Sequence, residues 1–306
     1  RKADEAARRC VAMWWEVLGL GLLCLVALAL FRPKNEKTPE RKPPNPQNGE
    51  ELLQLVPIHD PAVLAPHVVA LWPTLDQETR KKLKEAVHAY GWEAYFITDL
   101  EDPDLEKRIR AVEILGLIGG KKSLWPLMSA LASRNERVCF AATAALKELQ
   151  SPGLIETLIE ALGVPERWPP ARVAEIILSK GRESVMPLLE KLASASPAAK
   201  GYIIEILGEL GDVRAVPYLI EGVEDEDPVI RAKSARALAQ INGPVMGVTK
   251  SLQQALKDEA WEVRAQAALA VGNLRIYEMA ASLEELLSDP DWRVKETAEK
   301  ALKQLN

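Results

Sequence analysis

The chain has 306 residues, with 39 basic and 44 acidic side chains and a formal net charge of −5. Residues 1–50 carry nine basic and six acidic groups, so the remaining chain carries 30 and 38. This acidic balance argues against a nucleic-acid-binding protein, which needs positive charge to neutralise phosphates. The three cysteines and three histidines show no disulfide or metal-ligand spacing, so we predict neither a metal site nor a cofactor.

The N-terminal region contains one long apolar segment. Residues 1–10 are interpreted as a charged tail that need not be native, because the chain begins at Arg1 rather than at a methionine. Residues 11–31 are interrupted only by Glu16 and would form about 31 Å of helix, enough for one transmembrane span. A retained anchor is the preferred interpretation. A cleaved signal peptide, with Ala27-Leu28-Ala29 as its cleavage site, is the alternative.

The orientation of this predicted membrane protein depends on where translation starts. If Met13 is the first residue, the basic residues after the span place the rest of the chain in the cytoplasm by the positive-inside rule. If Arg1 is genuine, the two flanks carry similar positive charge and the rule decides little. We favour the cytoplasmic orientation.

The segment that follows is rich in proline and leads into a helical region. Residues 32–50 contain five prolines and no large apolar side chain, which indicates an extended linker with a reach of up to about 60 Å. Residues 51–100 are predicted to form a helical N-terminal cap, with helices near 62–71, 77–90 and 92–100. The three histidines lie here and are interpreted as surface or packed residues.

Residues 101–306 repeat at a spacing of about thirty residues. The clearest copies are DPDLEKRIRAVEILGLIGG from Asp102, DEDPVIRAKSARALAQING from Asp225, DEAWEVRAQAALAVGNL from Asp258 and DPDWRVKETAEKALKQL from Asp289. Repetition at this period predicts stacked pairs of helices, hence an all-α, right-handed α-solenoid. The acidic turn caps the first helix of each pair, and in the second copy Ile230, Ala235, Leu238 and Ile241 would face the core.

The second helix of a pair is marked by its opening residues. Three such helices begin alike, with Leu124-Trp125-Pro126-Leu127, Val185-Met186-Pro187-Leu188 and Val216-Pro217-Tyr218-Leu219. Proline near a helix start loses no hydrogen bond within the helix. We expect these second helices to line the concave groove of the stack.

A basic residue recurs at one position of the repeat. This basic ladder consists of Arg108, Lys200, Arg231, Arg264 and Lys295, and it is interrupted by Cys139 and by Ala171. We predict a structural role, in which each cation pairs with an acidic turn residue or with helix-end carbonyls of a neighbouring repeat. A row of functional anion-binding sites is the alternative.

Two tryptophans are the candidates for partner binding. Trp261 and Trp292 occupy the same position in consecutive repeats, and tryptophan is favoured at interaction hot spots. In the alternative interpretation they only cover the turn of a neighbouring repeat. No catalytic motif accompanies them, so we do not expect an enzyme.

The pattern D-P-D-x-x-V-R-x-x-A-x-x-A-L-G, best seen in residues 102–116 and 225–238, resembles the HEAT-repeat family in its short bacterial and archaeal, phycobilin-lyase-type form. The pattern describes core and turn positions, so it implies a fold rather than an activity. The expected function is a membrane-tethered scaffold or adaptor that binds a partner protein. The resemblance also implies an alternative, a bilin lyase or isomerase, and the acidic charge disfavours a third class, nucleic-acid glycosylases.

Overall fold

A computed structural model describes residues 44–241 and 247–305. The predicted tail at 1–10, the span at 11–31 and most of the linker at 32–50 lie outside the described residues. None of the helices within the described ranges combines the length and apolar composition that a membrane span requires.

The described part of the chain is helical and contains no β-strand. In chain order its helices are α1 (Gly49–Leu55), α2 (Pro61–Leu71), α3 (Gln77–Ala89), α4 (Trp92–Asp99), α5 (Leu105–Ile118), α6 (Leu124–Leu131), α7 (Glu136–Glu148), α8 (Leu154–Ala161), α9 (Pro170–Ser179), α10 (Val185–Leu192), α11 (Pro197–Leu210), α12 (Val216–Val223), α13 (Pro228–Leu238), α14 (Thr249–Ala255), α15 (Trp261–Asn273), α16 (Ala280–Glu285) and α17 (Trp292–Leu305).

The helices from α5 onward form two layers. The long, odd-numbered helices pack side by side, each on the next from α5 to α17. The short, even-numbered helices lie behind them, and each packs on the long helix that follows it. This is the stack of helical pairs that the thirty-residue period predicts.

The capping and core positions of a repeat can be followed in α13. The carboxylate of Asp227 accepts a hydrogen bond from the backbone N–H of Val229 at 2.8 Å, and Pro228 occupies the first helical position. Ile230, Ala235 and Leu238 are buried, as is Ile241 just beyond the helix. The predicted inward face is therefore confirmed.

The long helices approach one another most closely at glycine. A Cβ atom on Gly208 of α11 would lie 2.8 Å from the Cα of Ala237 in α13, so only glycine fits. A Cβ atom on Gly272 of α15 would likewise lie 2.8 Å from the Cα of Ala301 in α17. The long helices are thus a closely spaced layer.

The N-terminal cap consists of α1 to α4. The first helix begins at Gly49, within the predicted linker, because the side chain of Asn48 caps it by accepting from the N–H of Glu51 at 2.9 Å. A buried carboxylate, Glu93 of α4, joins the cap to the first repeat. It accepts from the Ser123 hydroxyl at 2.7 Å and from the N–H of Gly120 at 3.1 Å.

Candidate binding groove

The exposed face of the long helices carries a series of depressions. One of them, lined largely by apolar side chains, has a volume of about 640 Å³ and lies where the cap meets α5, α7 and α9. Its lining residues are Val69, Trp72, Pro73, Ile109, Glu113, Leu117, Glu136, Arg137, Phe140, Ala141, Ala144, Ala145, Glu148 and Arg172. Its volume is in the range of small-molecule sites.

Phe140 of α7 is the most unusual residue in this cleft. Its side chain is 68% exposed although it borders an apolar surface. The guanidinium carbon of Arg172, from α9, lies 6.0 Å from the centre of its ring. An exposed aromatic ring beside an arginine is the combination that hot spots of protein interfaces favour.

A second cavity of about 810 Å³ continues the cleft over the cap and shares Trp72, Leu117 and Glu148 with it. Its basic side chains come from α3. Arg80 donates to the carbonyl of Trp72 at 3.2 and 3.0 Å, which fixes its guanidinium. Lys84 is half-buried, and burial lowers its pKa, with a further lowering by Arg80 and an opposing effect of Glu148.

Two smaller depressions extend the series toward α13. One, of about 360 Å³, lies between α9 and α11 and is lined by apolar residues with Glu175, Glu205 and Glu209. The other, of about 220 Å³, lies between α11 and α13 and includes Lys233 and Arg236. We refer to the four depressions together as the long-helix groove.

The depressions lie on a different layer from the second helices, which were predicted to line the binding surface. All four depressions are lined by the cap and by the long helices. The second helices instead expose isolated apolar side chains such as Trp125 and Met186 on the other layer.

The basic ladder lies apart from the groove residues and joins adjacent repeats. Arg231 forms a bidentate pair with the carboxylate of Asp258, at 2.7 and 2.9 Å, and donates to the carbonyls of Asp225 and Glu226. Arg264 repeats this geometry one unit later, with Asp289 at 2.7 and 2.9 Å. Such charge-assisted pairs are short and directional.

The other ladder residues differ because their neighbours differ. Lys200 pairs with the carboxylate of Asp225 in the next repeat. Arg108 donates instead to the carbonyl of Asp102 in its own turn, at 2.9 Å, since Ser133 stands where the next repeat would need an acid. Lys295 of α17 forms no ion pair within the described residues.

The two positions that interrupt the ladder hold uncharged residues. Cys139 is buried, and its Sγ lies 3.0 Å from the carbonyl oxygen of Leu131. Ala171 has no polar side-chain atom, and the acceptor position of the following repeat is Ser194. The ion pairs of the ladder therefore connect the C-terminal repeats from α11 to α17.

The pKa of each ladder carboxylate in the folded protein is lower than that of an ordinary aspartate. The hydrogen bonds from Arg264 lower the pKa of Asp289, against the opposing effect of burial. Because the folded pKa is depressed, the pair stabilises the fold fully above the ordinary aspartate pKa of about 3.9. That contribution is lost only as the pH falls below this value and through the lower folded pKa.

The two candidate tryptophans lie in different surroundings. Trp261 is partly buried, and the guanidinium carbon of Arg293 in the next repeat lies 3.2 Å from the centre of its ring. Trp292 is 68% exposed. Neither residue lines the long-helix groove, so the groove and the tryptophan position are separate candidates.

The residues that the sequence analysis missed are Trp72, Phe140, Arg172 and Lys84. Phe140 follows Cys139 at a solvent-facing position of α7, and a bulky apolar residue at such a position is the one signal that could have identified it. The described residues contain no group of three or more His, Cys, Asp and Glu side chains arranged to hold a metal ion.

Comparison with solved structures finds several similar chains. A chain of the complex of CpcE and CpcF of phycocyanin lyase from Nostoc sp. PCC7120 is 23% identical, with a TM-score of 0.44, over 48% of this chain and 96% of that one. A designed armadillo repeat protein in complex with the peptide (KR)4 is 19% identical, with a TM-score of 0.37, over 69% and 98%. Human deoxyhypusine hydroxylase is 19% identical, with a TM-score of 0.35, over 84% and 95%.

Comparison with curated proteins yields no match. The sequence signature of HEAT repeats, in contrast, matches residues 95–179, 185–247 and 248–306. These ranges make up more than half of the chain and cover all of the array predicted at 101–306 except residues 180–184. The chain therefore belongs to the HEAT-repeat family.

Proposed function

We propose that this protein is a scaffold or adaptor that binds a partner protein through the long-helix groove. The observation that carries the proposal is Phe140, a largely exposed aromatic ring at the rim of an apolar cleft. A partner side chain that fills this cleft would bury apolar surface that is now in contact with water, at about 25 cal/mol per Å². We propose a binding role rather than an enzymatic one.

The binding role is tested by capturing partners with the full-length protein from detergent-solubilised membranes. We expect the Phe140→Asp variant to retain roughly a tenth or less of the captured partner, because a charge would be desolvated in the cleft. Tyr277→Asp is the matched control, since Tyr277 is 62% exposed outside the groove. Equal capture by the wild type and by Phe140→Asp would contradict the assignment of the groove.

The same capture experiment separates the competing sites and functions. If Trp292→Ala loses the partner and Phe140→Asp does not, the tryptophan position is the binding site. A change in absorbance when a phycobilin is added to the purified protein would instead support the bilin-handling alternative.

We further propose that residues 11–31 hold the protein at a membrane as a single-pass anchor, with the repeats in the cytoplasm. The support is the apolar sequence of this segment and the basic residues that follow it. A reporter enzyme that works only in the cytoplasm is expected to be active when it is fused after Asn306. Activity restricted to the outer side would contradict the orientation, and a reporter found in the soluble fraction would contradict the anchor.

A further inference from the structure

The layer of second helices carries a basic and aromatic patch beside the cap. Lys121 and Lys122 lie in the turn that precedes α6, and both side chains are exposed. Trp125, in the first turn of α6, is 55% exposed. Neither lysine forms an ion pair within residues 44–241 and 247–305. The patch thus presents two positive charges without an ion-pair partner next to an aromatic ring.

A buried hydrogen-bond network holds this turn in place. The carboxylate of Glu93 accepts from the Ser123 hydroxyl at 2.7 Å and from the N–H of Gly120 at 3.1 Å, on either side of the two lysines. The end of α3 packs here as well, because the Cε1 atom of His88 lies 3.7 Å from the position that a Cβ atom on Gly120 would take. Tyr90 directly follows α3 and is 57% exposed. We refer to Tyr90, Lys121, Lys122 and Trp125 as the junction patch.

Acidic side chains limit the extent of the junction patch. Glu93 lies beside it but is buried and hydrogen-bonded. Glu85 of α3 is exposed, and Glu156 of α8 is exposed at the position that corresponds to Trp125, two residues before a buried leucine in both helices. Residues 51–306 carry 30 basic and 38 acidic groups, so an anionic surface would repel the protein as a whole. The junction patch is therefore a local exception on an acidic protein.

The composition of the patch is that of residues at a membrane–water interface. Tryptophan and tyrosine combine an apolar ring with a polar tip, and both are enriched at the level of the lipid headgroups. Lysines beside an anionic bilayer add electrostatic attraction. A protein hot spot, in contrast, lies at the centre of further contacts that exclude water. Trp125 has two lysines beside it, and the second helices expose other apolar side chains, such as Met186, only singly.

The linker is long enough for the junction patch to reach a bilayer. A Cβ atom on Gly49, the first residue of α1, would meet the side chain of Thr79 near the start of α3. Tyr90 follows eleven residues later, about 16 Å along that helix. Residues 32–43 reach up to about 37 Å at 3.1 Å per residue, which exceeds this distance. A tether also makes docking intramolecular, so that a weak contact is enough.

We infer that the junction patch docks the repeats onto an anionic lipid surface, with the rings of Trp125 and Tyr90 among the headgroups and the two lysines beside the lipid phosphates. This inference rests on the membrane anchor proposed above and specifies which face of the repeats meets the membrane. The long-helix groove belongs to the other layer, so docking through the patch leaves the groove open to a partner protein.

The inference is tested with the full-length protein reconstituted into vesicles whose lipids carry bromine on their acyl chains and quench tryptophan fluorescence on contact. One set of vesicles contains phosphatidylglycerol and phosphatidylcholine, and the other contains phosphatidylcholine alone. We expect stronger quenching in the anionic vesicles, because each lysine near an anionic surface favours docking by about fivefold. Salt at about 1 M, which shortens the Debye length to about 3 Å, should abolish this gain in quenching.

Two substitutions of tryptophan assign the quenching to a ring. Trp125→Phe removes the reporter from the junction patch, so the gain in quenching between the two kinds of vesicle should disappear. Trp292→Phe is the matched control, because Trp292 is 68% exposed but lies in α17, outside the patch. That variant should keep the full gain.

A double substitution tests the charges while it keeps all eight tryptophans. Lys121→Ser combined with Lys122→Ser should weaken docking to the anionic vesicles about 25-fold, fivefold for each lysine. Lys300→Ser combined with Lys303→Ser removes the same charge from exposed positions of α17 and should leave docking unchanged. An unchanged thermal midpoint confirms that each variant is folded.

The outcomes distinguish the inference from the proposed anchor. Equal quenching of the wild type in the two kinds of vesicle, or an equal gain in the wild type and in Trp125→Phe, would overturn the inference. A lysine variant that loses a captured partner protein, with no gain in quenching of the wild type, would assign the patch to a protein instead and overturn it too. The anchor is judged at high salt, where the apolar span should still hold the protein on the vesicles. Release of the protein there would contradict the anchor but not the quenching by the patch at low salt.

Discussion

Replacing Asp289 by alanine is expected to lower the free energy of unfolding by about 3 kcal/mol, since one partner of a buried charge pair is removed. The side chain of Asp289 is only 4% exposed, and that of Arg264 is 12% exposed. After the substitution the guanidinium keeps its carbonyl contacts but loses both carboxylate bonds. Urea unfolding followed by circular dichroism measures the difference.

Asp102→Ala is the matched control for this prediction. The carboxylates of Asp289 and Asp102 both accept from the backbone N–H two residues later, at 2.8 Å in each case. Asp102, however, pairs only with the exposed Lys107 at 3.1 Å, which is worth about 0–1 kcal/mol. Similar losses for the two variants would show that the turn, and not the pair with Arg264, provides the stability.

Gly208→Ala is the second substitution with a large expected effect. Alanine favours a helix over glycine by about 1 kcal/mol, but the new methyl group would lie 2.8 Å from the Cα of Ala237. The two long helices would have to separate, and overpacking of this kind costs about 1–3 kcal/mol. We expect a lower thermal midpoint and a net loss of stability.

Gly201→Ala provides the comparison within the same helix. A methyl group on Gly201 would meet only the flexible end of Lys233, at 2.9 Å from its Nζ. That side chain can move, so the gain in helix propensity should leave this variant as stable as the wild type or more so. If both variants behave alike, the close approach of α11 and α13 is not the cause.

Much of the fold could be predicted because each repeat encodes it locally. The period, the acidic caps and the inward residues of α13 follow from patterns of a few residues, and the structure places them accordingly. Which layer carries the groove could not be predicted. It depends on contacts between residues about thirty positions apart, such as Gly208 with Ala237, that no single repeat reveals.

The candidate site was missed for a related reason. The cleft of Phe140 combines a repeat with the cap, and Trp72 and Lys84 belong to cap helices outside the repeating pattern. The two tryptophans show that a shared position in the repeat does not determine the surroundings of a side chain. They share a position in the repeat, but only Trp261 has the arginine of a following repeat over its ring.

The interruption of the ladder has a mechanical consequence. Within the described ranges, no side-chain hydrogen bond or ion pair connects α9 to α11, where the ladder positions are Ala171 and Ser194. Apolar contact alone joins these two helices, and such contact is non-directional, whereas a bidentate ion pair fixes the relative position of its partners. If the protein is pulled from its two ends, the contact between α9 and α11 should break first. The repeats from α11 to α17 should then separate as one unit.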